Sequence, residues 1–250
     1  MKAPLVSIIT PAYNCVSTIE ETYKSILSQT FSDWEWIIVE DHSKDDSYNF
    51  IKKIIKDDTR VTLLQTEKNS GAAIARNAGI EKARGRFIAF LDADDLWKKE
   101  KLEHQVEFML KNNYSFTFTN YDVLFPNGKI VNYEIKKNQL TYKNLLRTNA
   151  IGCLTVIYDS EQLGKVFMPV DCYKREDYGA WLDITRNGTL AYKLNESLSI
   201  YRLDSNSVSS NKFRLLKYQY NVYRKHEKFN FIKSFWLLLI CSLNKFAKKY

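Results

Sequence analysis

Residues 87–95 read FIAFLDADD: five apolar residues, Phe87–Leu91, run directly into Asp92-Ala93-Asp94-Asp95. A short apolar run with a sharp polar end suits a strand buried on both faces. The same pattern recurs upstream. Leu5–Thr10 (LVSIIT) leads into Pro11-Ala12-Tyr13-Asn14, Trp34–Glu40 (WEWIIVE) into Asp41-His42-Ser43, and Val61–Thr66 toward Asn69-Ser70-Gly71. Helical spacing fills the gaps. Ser17-x-x-Glu20 has the form of a capping box opening a helix through about Gln29, and further helices are expected over 45–56, 71–83 and 97–112. Such alternation defines an α/β protein with a mostly parallel central sheet flanked by helices. Right-handed crossovers then place a ligand crevice at the carboxyl ends of the strands, where these four polar loops meet.

Each loop has a chemical reading beside a structural one. Three carboxylates at Asp92, Asp94 and Asp95 repel one another unless a cation lies among them. Oxygen ligands of this kind suit Mg²⁺ or Mn²⁺, which complete their shells with water and phosphate oxygens; the alternative is that Asp94 or Asp95 caps a helix beginning near Trp97. Asp41 is placed to accept a hydrogen bond from a base or ribose, while Ser43 or Asp45 caps the next helix. The small residues of Asn69–Gly79 let a helix start approach a phosphate, with Arg76 a turn further on as a charged contact or as part of a structural ion pair. Arg175-Glu176-Asp177 opens a helix expected over 175–186. There Asp177 reads as a general base, and Trp181, four residues on, as a stacking platform for a sugar or as a core residue.

Composition narrows the class. With 45% hydrophobic and 14% aromatic residues in 250, the chain supports one sizeable core and is not a disordered protein. Cys15, Cys153, Cys172 and Cys241 form no CxxC pair, which argues against zinc knuckles and dithiol redox chemistry and fits reduced, mostly buried thiols. The N-terminus has no secretory h-region, and no stretch reaches the roughly 18 apolar residues of a spanning helix. Charge is uneven. Residues 211–250 hold ten Lys/Arg and one Glu, a net of +9 within a total of +8, so the preceding 210 residues come to −1. A basic tail on a near-neutral body points to a local partner, not to a nucleic-acid-binding protein. Within it, Asn230–Tyr250 (NFIKSFWLLLICSLNKFAKKY) clusters apolar residues around Trp236 with lysines at both ends, as in a helix lying in a membrane interface; packing on the body or on a second subunit is the alternative.

Taken in order, Pro11-Ala12-Tyr13-Asn14, Val39-Glu40-Asp41-His42-Ser43, Ala75-Arg76-Asn77-x-Gly79, Leu91-Asp92-Ala93-Asp94-Asp95, Glu176-Asp177-x-x-x-Trp181 and Tyr201-Arg202 with Ser207 and Ser209 make the chain resemble the family 2 glycosyltransferases over residues 4–210. The resemblance implies a GT-A (Rossmann-like) catalytic domain over 1–210, with a nucleotide-binding half to about 115 and an acceptor-binding half over 116–210, followed by a basic amphipathic helical tail over 211–250. It implies a nucleotide-sugar donor, with a UDP-sugar favoured, and a glycan acceptor, lipid-linked, in surface polysaccharide or lipopolysaccharide synthesis at the inner face of the plasma membrane.

Roles follow by the same route. Pro11, Ala12, Tyr13, Asn14, Asp41, Ser43, Asn69, Gly71, Arg76, Asp92 and Ala93 would bind nucleotide and donor. Asp94 would hold Mn²⁺ or Mg²⁺, Asp177 would be the catalytic base, and Glu176 and Trp181 would lie on the acceptor side. The segment after Ser205 is expected to cover the donor. Two departures stand out. His42 replaces the family's usual glycine, and Asp204 stands where a metal-binding histidine is common, making Asp204 a candidate second ligand. A sugar nucleotidyltransferase is the rival enzyme, although its usual glycine-rich basic first loop is absent here. An inactive nucleotide-binding homologue is the rival from another class.

Overall fold

The computed structural model describes residues 3–203 and 212–246. Strands β1 (Val6–Ala12), β2 (Trp34–Glu40), β3 (Val61–Gln65) and β4 (Phe87–Phe90) alternate with helices α1 (Ile19–Leu27), α2 (Ser47–Ile54) and α3 (Ala72–Lys82). Every residue of β2 and β4 is buried, because helices cover both faces of the sheet. The capping-box expectation is corrected. Thr18, not Ser17, is the N-cap of α1, and it makes no capping bond. Its hydroxyl donates to Ala93 O at 2.9 Å instead.

The second half comprises β5 (Leu96–Trp97), α4 (Lys101–Asn112), β6 (Phe116–Leu124), β7 (Ile130–Tyr133), β8 (Gln139–Leu140), α5 (Tyr142–Leu145), β9 (Ile157–Asp159), α6 (Ser160–Leu163), α7 (Glu176–Arg186), β10 (Ala191–Arg202), α8 (Lys212–Asn221) and α9 (Phe231–Phe246). The turn Pro126-Asn127-Gly128 joins β6 to β7 as a hairpin, closed by Phe125 N–H to Lys129 O at 2.8 Å. The helix expected from Trp97 starts four residues later, at Lys101 with Glu100 as N-cap. Leu96 and Trp97 are drawn instead into antiparallel pairing with Ile200 and Ser199, and Trp97 Nε1 donates to Leu154 O at 2.9 Å. Neither Asp94 nor Asp95 is therefore a helix cap.

One sheet runs through the molecule in the order β3–β2–β1–β4–β9–β6–β10–β5, with β7 on β6 and β8 on β10. β1 pairs in parallel with β2 and β4, β2 with β3, and β6 with β10. β9 is antiparallel to both β4 and β6, so the six long strands still point one way and deliver their ends to one rim. The pleat divides β1 between two cores: Val6, Ile8 and Ala12 join α1, α2 and α4 on one side, and Ile9 joins α3 and α7 on the other. Gly79 sets the second contact, since a Cβ there would lie 2.6 Å from Ile9 Cγ2. That approach brings α3, and with it Arg76, against the sheet.

The C-terminal element packs into the second core. Val222 and Tyr223, in a π-helical turn over Val222–His226, are fully buried, and Tyr223 Oη donates to Leu146 O at 2.8 Å. Arg186 at the end of α7 grips Glu227 with two bonds, at 2.8 and 2.9 Å, and Tyr142 Oη donates to the same carboxylate.

Candidate active site

The loops after β1, β2, β3 and β4 converge at the rim and are locked together before any ligand is considered. Asp41, 3% exposed, accepts from Ser70 N (2.9 Å), Gly71 N (2.7 Å) and Thr66 Oγ1 (2.9 Å), so its carboxylate shapes the loop that launches α3. Asn69 Nδ2 donates to Asp41 O at 3.3 Å. Asn14 N donates to Ser43 Oγ at 2.9 Å, and Lys44 N donates to Asn14 Oδ1 at 2.9 Å, which ties the first loop to the second. Pro11 and Ala12 end β1, and Tyr13 projects into solvent just beyond them.

Backbone strain collects in these loops. Asn14 (φ 49) and His42 (φ 55) are left-handed without being glycine, and Gly71 sits at φ 90, ψ 161. The glycine usual at position 42 in the resembling family thus has a conformational reason. Gly71→Ala should cost about 1–3 kcal/mol through backbone strain alone, because nothing lies within 4 Å of the added Cβ. His42→Gly should go the other way, gaining up to about 1 kcal/mol, or about 2–4 °C in Tm. Thermal melts of the two variants check both signs.

The aspartate loop is held from below by α1. Thr18 and Thr22 hydroxyls both donate to Ala93 O, and Thr22 also reaches Asp95 O at 2.9 Å. Asp95 is buried and accepts from Arg202 N at 2.9 Å. Asp94 is exposed on this loop, yet partial desolvation by the surrounding chain and the neighbouring Asp92 carboxylate raise its pKa to about 6. Burial, with Asp94 and Asp92 close by, also raises the Asp95 carboxyl well above its ordinary value. Among the described residues, this loop does not gather three ligand atoms within 4.8 Å of one another. A hard cation there would take one or two carboxylates and complete its shell from phosphate and water, and the acidic oxygen donors fit that chemistry.

Arg76 bridges the two halves of the site. Only 6% exposed, it donates through Nη2 to Asp92 Oδ1 at 2.5 Å and through Nη1 to Glu176 Oε1 at 3.1 Å. It is a structural ion pair joining the aspartate loop to the start of α7. Next along α7, Asp177 accepts from Tyr178 N at 2.7 Å; desolvation and the adjacent Glu176 raise its pKa, and Arg76 and Arg175 only partly oppose them. Cys153 is buried within electrostatic reach of Arg76, Asp92, Asp177 and Glu176.

Trp181 is corrected. It is 0% exposed and packs against Phe90 and Phe116 with ring centroids 5.8 and 5.4 Å apart, so it is a core residue and offers no face to a sugar. Asp204 lies outside the described residues, as do residues 205–211, where the segment expected to cover the donor begins. Sequence reasoning missed Thr18, Thr22 and Cys153, whose partners are distant in the chain. It also gave Arg202 no role, though Arg202 stands beside the aspartates; among the described residues its Nε and Nη2, both buried, have no partner.

The mostly parallel sheet, with carboxylates and the buried Arg76 gathered at its strand ends, has the architecture of the GT-A fold. Residues 7–161 match the model of glycosyl transferase family 2, and the chain belongs to that family and is a glycosyltransferase. It is 43% identical over 247 residues, 98% of each chain, to TuaG of Bacillus subtilis (strain 168), named for teichuronic acid biosynthesis. It is 39% identical over 249 residues, 98% of this chain and 96% of the other, to WfgD of Escherichia coli, a UDP-Glc:alpha-D-GlcNAc-diphosphoundecaprenol beta-1,3-glucosyltransferase. Among solved structures, a mannosyltransferase of Pyrobaculum calidifontis in complex with GDP-Man and Mn²⁺ shares the fold with TM-score 0.69 at 18% identity, covering 92% of this chain and 66% of that one.

Proposed function

We propose that the protein transfers a sugar from a UDP-sugar to a hydroxyl of a lipid-linked glycan during assembly of a bacterial surface polysaccharide, inverting the anomeric centre in one displacement. The observation that carries this reading is the junction of Arg76, which ties the donor-side Asp92 to Glu176, directly before Asp177. The UDP-Glc donor and diphosphoundecaprenol-linked acceptor in WfgD's name supply the substrate classes, and TuaG's name supplies the surface-polysaccharide setting.

Pro11, Ala12, Tyr13, Asn14 and Ser43 line the nucleoside end in this scheme, and Asp41 keeps one acceptor position for a base N–H beyond its three loop bonds. Gly71 and Asn69 shape the wall of that pocket. Asp92 and Ala93 flank the donor sugar. Asp94 would hold Mn²⁺ or Mg²⁺, which supplies charge neutralisation for the departing diphosphate. Arg202 offers unpartnered buried N–H groups to the same phosphates. Asp177 takes the proton of the attacking hydroxyl, with Glu176 positioned beside it by Arg76.

UDP with Mn²⁺ is expected to raise the melting temperature where UDP alone does not; saturation at 100 times the dissociation constant adds about 2.7 kcal/mol. Asp94→Ala should remove the Mn²⁺-dependent part. Stabilisation by GDP or dTDP in place of UDP would overturn the donor assignment, and no shift with any nucleotide would overturn the transferase reading of this crevice.

The outer face of α9 meets the membrane that carries the acceptor. Phe231, Ile232, Phe235, Trp236, Leu239 and Leu243 are exposed along it, Ile232 by 78% and Trp236 by 63%, whereas Ser234 and Leu237 face inward. No helix among the described residues is long and apolar enough to cross a membrane, so the face suits an interfacial helix. The tail's lysines and arginines add attraction to anionic lipid of about 1 kcal/mol each near the surface. The protein should float with anionic phospholipid vesicles and lose most of that binding when Ile232 and Trp236 become serine. Dimers in solution, with no flotation, would assign the face to a second copy instead.

A further inference from the structure

Away from the crevice, three potential metal ligands of different kinds meet where the C-terminal element docks. Asp171, Cys172 and His226 bring a carboxylate oxygen, a thiol sulfur and an imidazole nitrogen within 4.8 Å of one another. They come from two separate stretches: the loop leading into α7, and the last residue of the π-helical turn. We propose that this is a binding site for a borderline divalent metal, Zn²⁺ by chemistry, which staples the C-terminal element to the loop that leads into the helix carrying Asp177.

The donor set selects the ion. Thiolate and imidazole favour Zn²⁺ over the oxygen-seeking Mg²⁺ or Mn²⁺ expected at Asp94. Tetrahedral zinc with bonds of about 2.0–2.3 Å holds its ligand atoms about 3.3–3.6 Å apart. His226 Nδ1 already lies 3.2 Å from Asp171 Oδ1, and since no pair exceeds 4.8 Å, none has to close by more than about 1.5 Å. The other ring nitrogen is used as in many metal sites: Nε2 contacts Asp183 Oδ1 at 2.9 Å, and Arg186 holds the same oxygen at 2.9 Å. That second bond leaves Nδ1 aimed at the cluster and fixes the ring, the outer support on which metal-binding histidines rely.

Local structure points the same way. Single π-helical turns are rare and gather at functional sites, and this one ends on His226. Cys172 is buried and His226 nearly so, whereas Asp171 is 46% exposed at its side chain, which leaves an entry path and room for water as fourth ligand.

Co²⁺ reports the site directly, because a cysteine thiolate bound to it gives near-ultraviolet charge-transfer absorption and tetrahedral geometry gives visible bands. The full chain, stripped by chelator, should take up one Co²⁺ with both signatures, and Zn²⁺ should bleach them. Cys172→Ser should lose the charge-transfer band, and Asp183→Asn should weaken binding by about 10- to 100-fold. If Cys172→Ser does not fold, His226→Gln serves as the variant, with the same loss of affinity expected. Asp94→Ala should keep the spectrum, which separates this site from the donor crevice. Absence of thiolate absorption, or its persistence in both Cys172→Ser and His226→Gln, would overturn the proposal.

Discussion

Asp177→Asn is expected to lower kcat by about 10²- to 10⁴-fold, the usual contribution of a positioned base, while raising the melting temperature. The two effects have one cause. Burial and Glu176 lift the Asp177 carboxyl above its ordinary pKa. Between the unfolded and folded pKa values the native state therefore holds more protons than the unfolded one, and stability falls as pH rises through that window. At neutral pH the ionised Asp177 is a destabilising group, and asparagine removes the charge while its oxygen still accepts the Tyr178 N–H seen at 2.7 Å. The acid limb of kcat/KM in the parent enzyme should lie above the ordinary carboxylate range and vanish in the variant. A kcat within a few-fold of the parent would sink the base assignment. A fall in Tm would mean that the carboxylate is structural.

Arg76→Ala should be the most destabilising single change in the site, by about 3–5 kcal/mol, because it leaves the partly buried Asp92 and Glu176 facing each other without their shared cation. That is a large share of the 5–15 kcal/mol typical of a whole domain. Arg76→Lys should recover little, since one ammonium cannot copy a fork that reaches Asp92 through one nitrogen and Glu176 through the other. Adding Glu176→Gln to Arg76→Ala should return part of the stability and none of the activity. Urea midpoints for the parent, both single variants and the double variant measure this. Equal midpoints for parent and Arg76→Ala would show that the bridge is energetically idle.

Much of the fold was legible because β4 is an uninterrupted apolar run and β2 one broken only by Glu35, each with an abrupt polar end, a signal that needs no tertiary context. β5 was not legible: two residues form a strand only because β10, about a hundred residues later, offers them an edge. Trp181 was misjudged for a related reason. A spacing of four places two residues on one helical face, but it does not say how far along that face the core reaches, and Phe90 and Phe116 claim the ring. The aspartate loop was recognisable by charge, whereas its support was not, since the Thr18 and Thr22 hydroxyls find their carbonyl partners more than 70 residues away. The left-handed backbone of His42 could be suspected only from the glycine usual in the Asp-Gly-Ser loop of the family that the sequence resembles.

The single reversed strand in the middle of the sheet sets an order of assembly. β2 pairs with β1 and β3 with β2 across one short helical crossover each, and these small loops close quickly; β4 then returns past both to pair with β1. β9 must wait until some seventy further residues exist before it can add to β4, and β6 joins the sheet core only across β9. On a ribosome making chain from the N-terminus, the donor-side layers are therefore complete while the open edge of β4 still waits for its neighbour. That edge, not the crevice, is the surface a nascent chain has most need to shield from other unfinished copies.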